Sequence, residues 1–177
     1  MGYTITPYIT EQEIRTRTKE LAEQIKKDYE GKPILLISIL KGAVVFLTDL
    51  MRALETEDVT IDFMVVSSYG HGTESSGHVK ITKDLSVDIA GKDVLIVEDI
   101  LDSGNTLSTI IEILRGRGVN SLRICSLLDK PSRRTTVVPL EYTGFVIPDK
   151  FVVGYGLDYN EKHRNLPYIG VVEFTEN

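Results

Sequence analysis

Glu98, Asp99 and Asp102 stand close together, and Ser103, Gly104, Asn105 and Thr106 follow at once. The apolar run Val94 to Val97 precedes them, and Leu107, Ile110, Ile111 and Leu114 follow at helical spacing. A buried strand therefore runs into a turn that opens a helix. In open α/β sheets, ligands sit outside the carboxyl ends of the strands. The turn Asp102 to Thr106 would aim backbone N–H groups and two hydroxyls at a helix N-terminus, which favours an anion such as phosphate. Gly104 lets the backbone approach closely. The spacing fits neither a Walker A loop nor a dinucleotide fingerprint.

A helix cap at Asp102 or Ser103 would account for a lone Asp-Ser-Gly. It does not account for three carboxylates crowding a phosphate cradle, where they would repel the ligand. The set makes sense if the acids handle sugar hydroxyls and a Mg2+ ion bridging to the ligand. Neighbouring strand residues face opposite ways. Glu98 and Asp99 thus reach one ligand only where the strand ends, and the sequence predicts such an end here.

The elements that must position this segment alternate. Thr10 and Glu13 form a capping box ahead of Ile14, Leu21 and Ile25, and Gly31 stops that helix. Ile34 to Ile39 is a continuous apolar run, as in a strand covered on both faces. Ala43 to Leu54 reads as a helix, Thr60 to Ser67 as a strand, and Val79 to Thr82 as a short strand. Tyr69 to Gly77, rich in Gly, Ser and Thr, reads as a long exposed loop of the kind that is often functional. Ser121 to Leu128 is a further strand. Prolines then punctuate short strands around Tyr142 to Ile147, Phe151 to Tyr155 and Tyr168 to Val172. The expected fold is α/β: a parallel β-sheet flanked by helices, with a small C-terminal hood subdomain. One domain spans 1–177, its core about 10–130 and its hood mainly 131–177.

Composition agrees with an ordinary globular chain. Of 177 residues, 42% are hydrophobic and 26% charged, and 20 Lys and Arg against 26 Asp and Glu give a net charge of −6. The acidic balance speaks against a nucleic-acid partner. No apolar run approaches the roughly 20 residues of a membrane helix, and the N-terminus lacks a signal-peptide pattern, so a cytoplasmic protein is expected. Cys125, the single cysteine, is expected to be a buried, inert thiol.

Several motifs beyond the acidic turn occur in a fixed order: Leu40-Lys41-Gly42, Ser67-Ser68-Tyr69-Gly70, Leu128-Asp129-Lys130, Pro148-Asp149-Lys150-Phe151-Val152-Val153-Gly154-Tyr155, Leu157-Asp158-Tyr159-Asn160-Glu161, and Arg164. With that turn they resemble the type I phosphoribosyltransferases, and within them the hypoxanthine-guanine branch of purine salvage, over roughly Ile34 to Val172. The resemblance implies a Mg2+-dependent enzyme. It would join hypoxanthine or guanine to the ribose of phosphoribosyl pyrophosphate (PRPP), releasing pyrophosphate with IMP or GMP. It also implies a homo-oligomer, either dimer or tetramer.

The same resemblance implies roles. Asp102, Ser103, Gly104, Asn105 and Thr106 cradle the 5′-phosphate. Glu98 and Asp99 hold the ribose hydroxyls, directly or through the metal, with Asp158 as a further metal ligand. Asp102 is the candidate general base toward the purine. Lys41, Gly42 and Arg164 hold pyrophosphate, in a loop that can carry a non-proline cis bond at Leu40-Lys41. Lys130 donates to the 6-oxo group, Phe151 stacks on the purine, the Val152 backbone reads its far edge, and Asp158 also belongs to the purine-binding set. Arg134, more than Arg133, would add positive charge nearby. Ser68 and Tyr69 belong to a lid closing over PRPP. Asn105 departs from relatives that carry Lys or Arg there. Two other readings were open: a PRPP-responsive regulator that binds nucleic acid, and a transferase for xanthine, adenine or uracil. Lysine offers only donors, which argues against adenine.

Overall fold

The computed structural model describes residues 2–68 and 79–175. Strand β1 (Gly2–Ile9) leads into helix α1 (Glu11–Asp28), followed by β2 (Ile34–Ile39), α2 (Val44–Leu54), β3 (Val59–Ser68) and β4 (Val79–Lys83). Then come β5 (Asp93–Leu101), α3 (Asn105–Gly116), β6 (Ser121–Asp129), a 3-10 turn at Pro131–Arg133, β7 (Tyr142–Val146), β8 (Val152–Val153) and β9 (Ile169–Thr175). The predicted capping box forms: Thr10 Oγ1 accepts from the Glu13 N–H, and the Thr10 N–H donates to Glu13 Oε2 at 2.8 Å.

A six-stranded sheet has the order β4-β3-β2-β5-β6-β7. It is parallel except for β4, which pairs antiparallel with β3, so the sheet is mixed rather than wholly parallel. Alternate strand residues feed two cores. Leu36, Leu95, Val97 and Cys125 pack with the apolar faces of α1 and α2. Leu35, Ile37, Ile96 and Ile124 pack with Leu107, Ile110, Ile111 and Leu114 of α3. Covering both faces is why the central strands read as unbroken apolar runs. Cys125 is buried, and burial pushes its thiol well above the usual range, as an inert thiol requires.

A second, antiparallel sheet has the order β1-β9-β8. It draws its first strand from the N-terminus, which the sequence pattern did not mark as a strand. The C-terminal third also supplies β7 to the main sheet. Among the described residues, no helix is long and apolar enough to cross a membrane.

Candidate active site

Strand β5 does not end at Glu98 and Asp99; it continues through Leu101. The two carboxylates therefore alternate faces instead of meeting at a strand end. Glu98 lines a pocket of about 200 Å3 with Ile39, Ile100 and the turn residues Asp102, Ser103, Gly104 and Thr106. Asp99 lies on the other side, against Gly42. A Cβ on Gly42 would fall 1.8 Å from Asp99 Oδ2, so only glycine admits this contact.

The turn has the form expected of an anion cradle. Helix α3 is preceded by Gly104 at φ 85°, with no side-chain cap on its first turn. The N-cap position, Gly104, has no side chain to cap the helix, and the one side-chain contact recorded at its first N–H groups is a long one, from the Asn105 N–H to Ser103 Oγ at 3.4 Å. Gly104 could not be replaced freely, because a Cβ there would also lie 2.5 Å from the Thr136 carbonyl oxygen. Asn105 points away from the cradle. Its Oδ1 accepts from the hydroxyls of Thr135 at 3.0 Å and Thr136 at 2.5 Å.

Glu98 and Asp99 both bind their protons more tightly than usual. Burial, reinforced by Asp99, pushes Glu98 well above the ordinary carboxylate range, and its Oε1 is buried without a hydrogen-bond partner. Burial raises Asp99 to about 6. The Ile100 and Asp99 N–H groups and Arg164 oppose that rise, and Asp158 adds to it. Sequestered acids of this kind, Glu98 with an unpartnered oxygen and Asp99 held by the Ile100 N–H, fit a hard cation with oxygen ligands. Among the described residues, no group of three His, Cys, Asp or Glu could hold a metal by itself. Mg2+ characteristically takes one or two carboxylates and completes its shell with substrate phosphates and water.

The raised acid has a sign. A folded-state pKa above the unfolded value favours folding fully below that value, and the benefit is lost as pH rises through the folded pKa. For Asp99 the window runs from 3.8 to about 6. Asp99→Asn is expected to raise the melting temperature of the ligand-free protein at pH 7.5, with the gain shrinking as pH falls toward 4. Calorimetry at the two pH values checks this, and an equal gain at both contradicts it.

Around Asp99 the C-terminal loop closes in. Arg164 Nη2 lies 2.9 Å from Asp158 Oδ1 and 3.2 Å from Glu161 Oε1, and Nη1 donates to the Gly156 carbonyl at 2.8 Å. Lys41 Nζ reaches Glu161 Oε2 at 2.7 Å, and the Leu40-Lys41 bond is cis. Glu161 thus bridges the two cations that the sequence reading assigned to pyrophosphate. Its place in the sequence motif gave no such hint. Glu98 does not join Asp99 and Asp158 in one cluster.

Lys130 follows β6 and is 7% exposed, with Nζ 3.7 Å from Asp149 Oδ1. Arg133 Nη1 lies 3.8 Å from Asp149 Oδ2, and its Nε lies 3.3 Å from Asp102 Oδ1. Charges therefore alternate from Lys130 through Asp149 and Arg133 to Asp102. Phe151 remains 47% exposed, edge-on to Tyr159 at 5.6 Å and near Phe174 at 6.1 Å. Val152, buried in β8, pairs with Val171 of β9. Of the lid pair, Ser68 ends β3, while Tyr69 lies outside the described residues, as does the Ser68 side chain. A larger groove, about 640 Å3, lies between α1, α2 and residues 164–167. It meets the site only at Arg164.

A largely parallel sheet covered on both faces, a glycine-led helix turn behind a strand bearing acids, and a small antiparallel sheet beside it define the type I phosphoribosyltransferase fold. Residues 8–160 match the phosphoribosyl transferase domain model. The chain is 54% identical over 165 residues to the hypoxanthine-guanine phosphoribosyltransferase of Staphylococcus aureus, covering 93% of this chain and 92% of that protein. A crystal structure of a hypoxanthine phosphoribosyltransferase from the same species superposes with a TM-score of 0.91 at 54% identity, over 94% of this chain and 90% of that one. A hypoxanthine-guanine phosphoribosyltransferase from Bacillus anthracis gives 0.91 at 46% identity, over 98% and 100%. The chain belongs to the phosphoribosyltransferase family and is an enzyme of that class.

Proposed function

We propose that the enzyme transfers the 5-phosphoribosyl group of PRPP to N9 of hypoxanthine or guanine, giving IMP or GMP and pyrophosphate in purine salvage. The observation that carries this reading is Lys130, buried at the end of β6, the strand beside the one that leads into the phosphate-type turn. A buried lysine needs an acceptor, and a 6-oxo group is one. The relatives at 54% identity bear names that include the same two bases.

In this account the first turn of α3, with Ser103 and Thr106, binds the 5′-phosphate. Gly104 permits the approach, and Asn105 braces the turn instead of touching the ligand. Glu98 accepts from the ribose hydroxyls. Phe151 stacks on the purine, Lys130 donates to its 6-oxo group, and the Val152 backbone reads the opposite edge. Asp102 takes the proton from N7 as N9 forms its bond to the ribose.

Lys41, Gly42 and Arg164 receive the departing pyrophosphate, whose charge displaces Glu161 from both cations. Asp99 and Asp158 would hold Mg2+, which supplies charge neutralisation for the leaving group when bound. Ser68 and Tyr69 belong to the lid that excludes water from the oxocarbenium-like centre. A cytoplasmic location and assembly as a homodimer or homotetramer complete the proposal.

Incubation with PRPP, Mg2+ and hypoxanthine is expected to yield IMP and pyrophosphate in equal amounts, and excess chelator is expected to abolish both. Unequal yields, or turnover that survives chelation, contradict the scheme.

A further inference from the structure

Arg134 follows the 3-10 turn, and its side chain is turned inward, 17% exposed. Its Nε donates to the Asp102 carbonyl at 3.0 Å and its Nη2 to the Leu101 carbonyl at 3.4 Å, while Nη2 also meets the Asp129 carboxylate. Leu101 closes β5 and Asp129 closes β6. The guanidinium therefore ties the ends of two neighbouring strands to the turn that leaves the first of them.

The Asp102 carbonyl lies past the end of the ladder and needs a donor from elsewhere, whereas the Leu101 carbonyl also accepts from the Lys130 N–H at 3.0 Å. A planar fork can serve several acceptors at once, which a lysine cannot. The next residues continue the grip. The Thr135 and Thr136 N–H groups both donate to the Ser103 carbonyl at 3.0 Å, and their hydroxyls hold Asn105 Oδ1. Segment 134–136 is thus a strap across the outside of the turn. Arg134 is its one charged member, and it is already neutralised by Asp129.

We propose that Arg134 is a positioning residue for the phosphate turn. It fixes the Leu101 and Asp102 carbonyls so that the N–H groups beyond them converge on one anion, and it does not itself touch substrate. This rests on the reading of that turn as the 5′-phosphate site. The alternative, a direct Arg134–phosphate contact, predicts the opposite response to loss of Asp129.

The test compares steady-state kinetics of Arg134→Lys, Arg134→Gln and Asp129→Asn with the parent enzyme. Both Arg134 variants are expected to raise the KM for PRPP about thirtyfold, and the KM for hypoxanthine by less than about threefold. Lysine keeps the charge but loses the fork, so it should not rescue. Asp129→Asn leaves Arg134 in place but frees its guanidinium. Positioning predicts a KM for PRPP raised about fivefold, whereas direct phosphate contact predicts a lower one.

A parent-like KM in Arg134→Lys, or an unchanged or lowered KM in Asp129→Asn, overturns the proposal. If Arg134→Gln does not fold, the other two variants carry the test. A parent protein that does not use PRPP overturns the function and this role together. Parent activity with unaffected variants overturns the role alone.

Discussion

Replacing Asp102 by asparagine is expected to lower kcat at least about a hundredfold while shifting the KM for PRPP by less than about threefold. The two effects separate because different atoms of the residue do different work. The backbone carbonyl of Asp102 is held by Arg134 Nε at 3.0 Å, and the neighbouring Ser103 carbonyl by the Thr135 and Thr136 N–H groups. The shape of the turn does not depend on the carboxylate. An asparagine of equal size keeps that shape but cannot accept a proton at the purine. The carboxylate also faces Arg133, whose Nε lies 3.3 Å from Oδ1. That pairing is exposed and easily exchanged for substrate. Pre-steady-state measurement of bound PRPP and of turnover per bound complex separates binding from chemistry. Lost PRPP binding with unchanged turnover per complex would remove Asp102 from the role of base.

Gly42→Ala is expected to reduce kcat/KM for PRPP by about a hundredfold, with little loss of thermal stability. The added methyl would sit 1.8 Å from Asp99 Oδ2 and 2.8 Å from Asp99 Cγ, distances that no real contact tolerates. Either the Asp99 carboxylate swings away from its hydrogen bond with the Ile100 N–H, or the 40–42 loop retreats. Both outcomes separate the acid assigned to the metal from the loop assigned to pyrophosphate. Neither group lies in the two apolar cores, so the fold should survive. Gly116→Ala is the matched control. It closes α3 with open space around the position, and helical glycine is the less favourable residue, so activity should hold and stability should rise slightly. Parent-like kcat/KM in Gly42→Ala would show that Asp99 and the loop need not stay in register.

The elements that frame this site were legible wherever burial dominated. Ile34–Ile39 and the first half of β5 read as covered strands because both faces meet helices. Thr10 and Glu13 announced α1 because a capping box is a local interaction. The reading failed where partners are distant or where function overrides pattern. Strand β1 is mostly exposed and includes Pro7, beside which its pairing with β9 shifts register. Its partner lies at the far end of the chain, so no local signal could reveal it. Strand β5 was cut short at Glu98 because two successive carboxylates inside a sheet break the burial rule. Such breaks concentrate at functional sites.

The turn proposed to hold phosphate was recognisable, as a turn opening a helix behind a buried strand, from residue types and spacing. What braces it was not. Arg134 was expected only to add positive charge nearby, Thr135 and Thr136 carried no assignment, and their contacts with the turn arise only through the chain reversal after β6. Glu161 likewise gave no local sign that it would bridge Lys41 and Arg164. Asn105, judged by its position in the turn, was expected to face the ligand. It turns instead to the two threonines.

The central claim is that this enzyme builds nucleotides from PRPP and a 6-oxopurine selected by Lys130. Its most direct test is the rate of nucleotide formation with hypoxanthine, guanine and adenine side by side at saturating PRPP and Mg2+. Rapid formation of IMP and GMP is predicted, with AMP slower by about a hundredfold or more, because a 6-amino group sets donor against donor at the buried Lys130 ammonium. AMP formed as fast as IMP, or no nucleotide from any base, would contradict it.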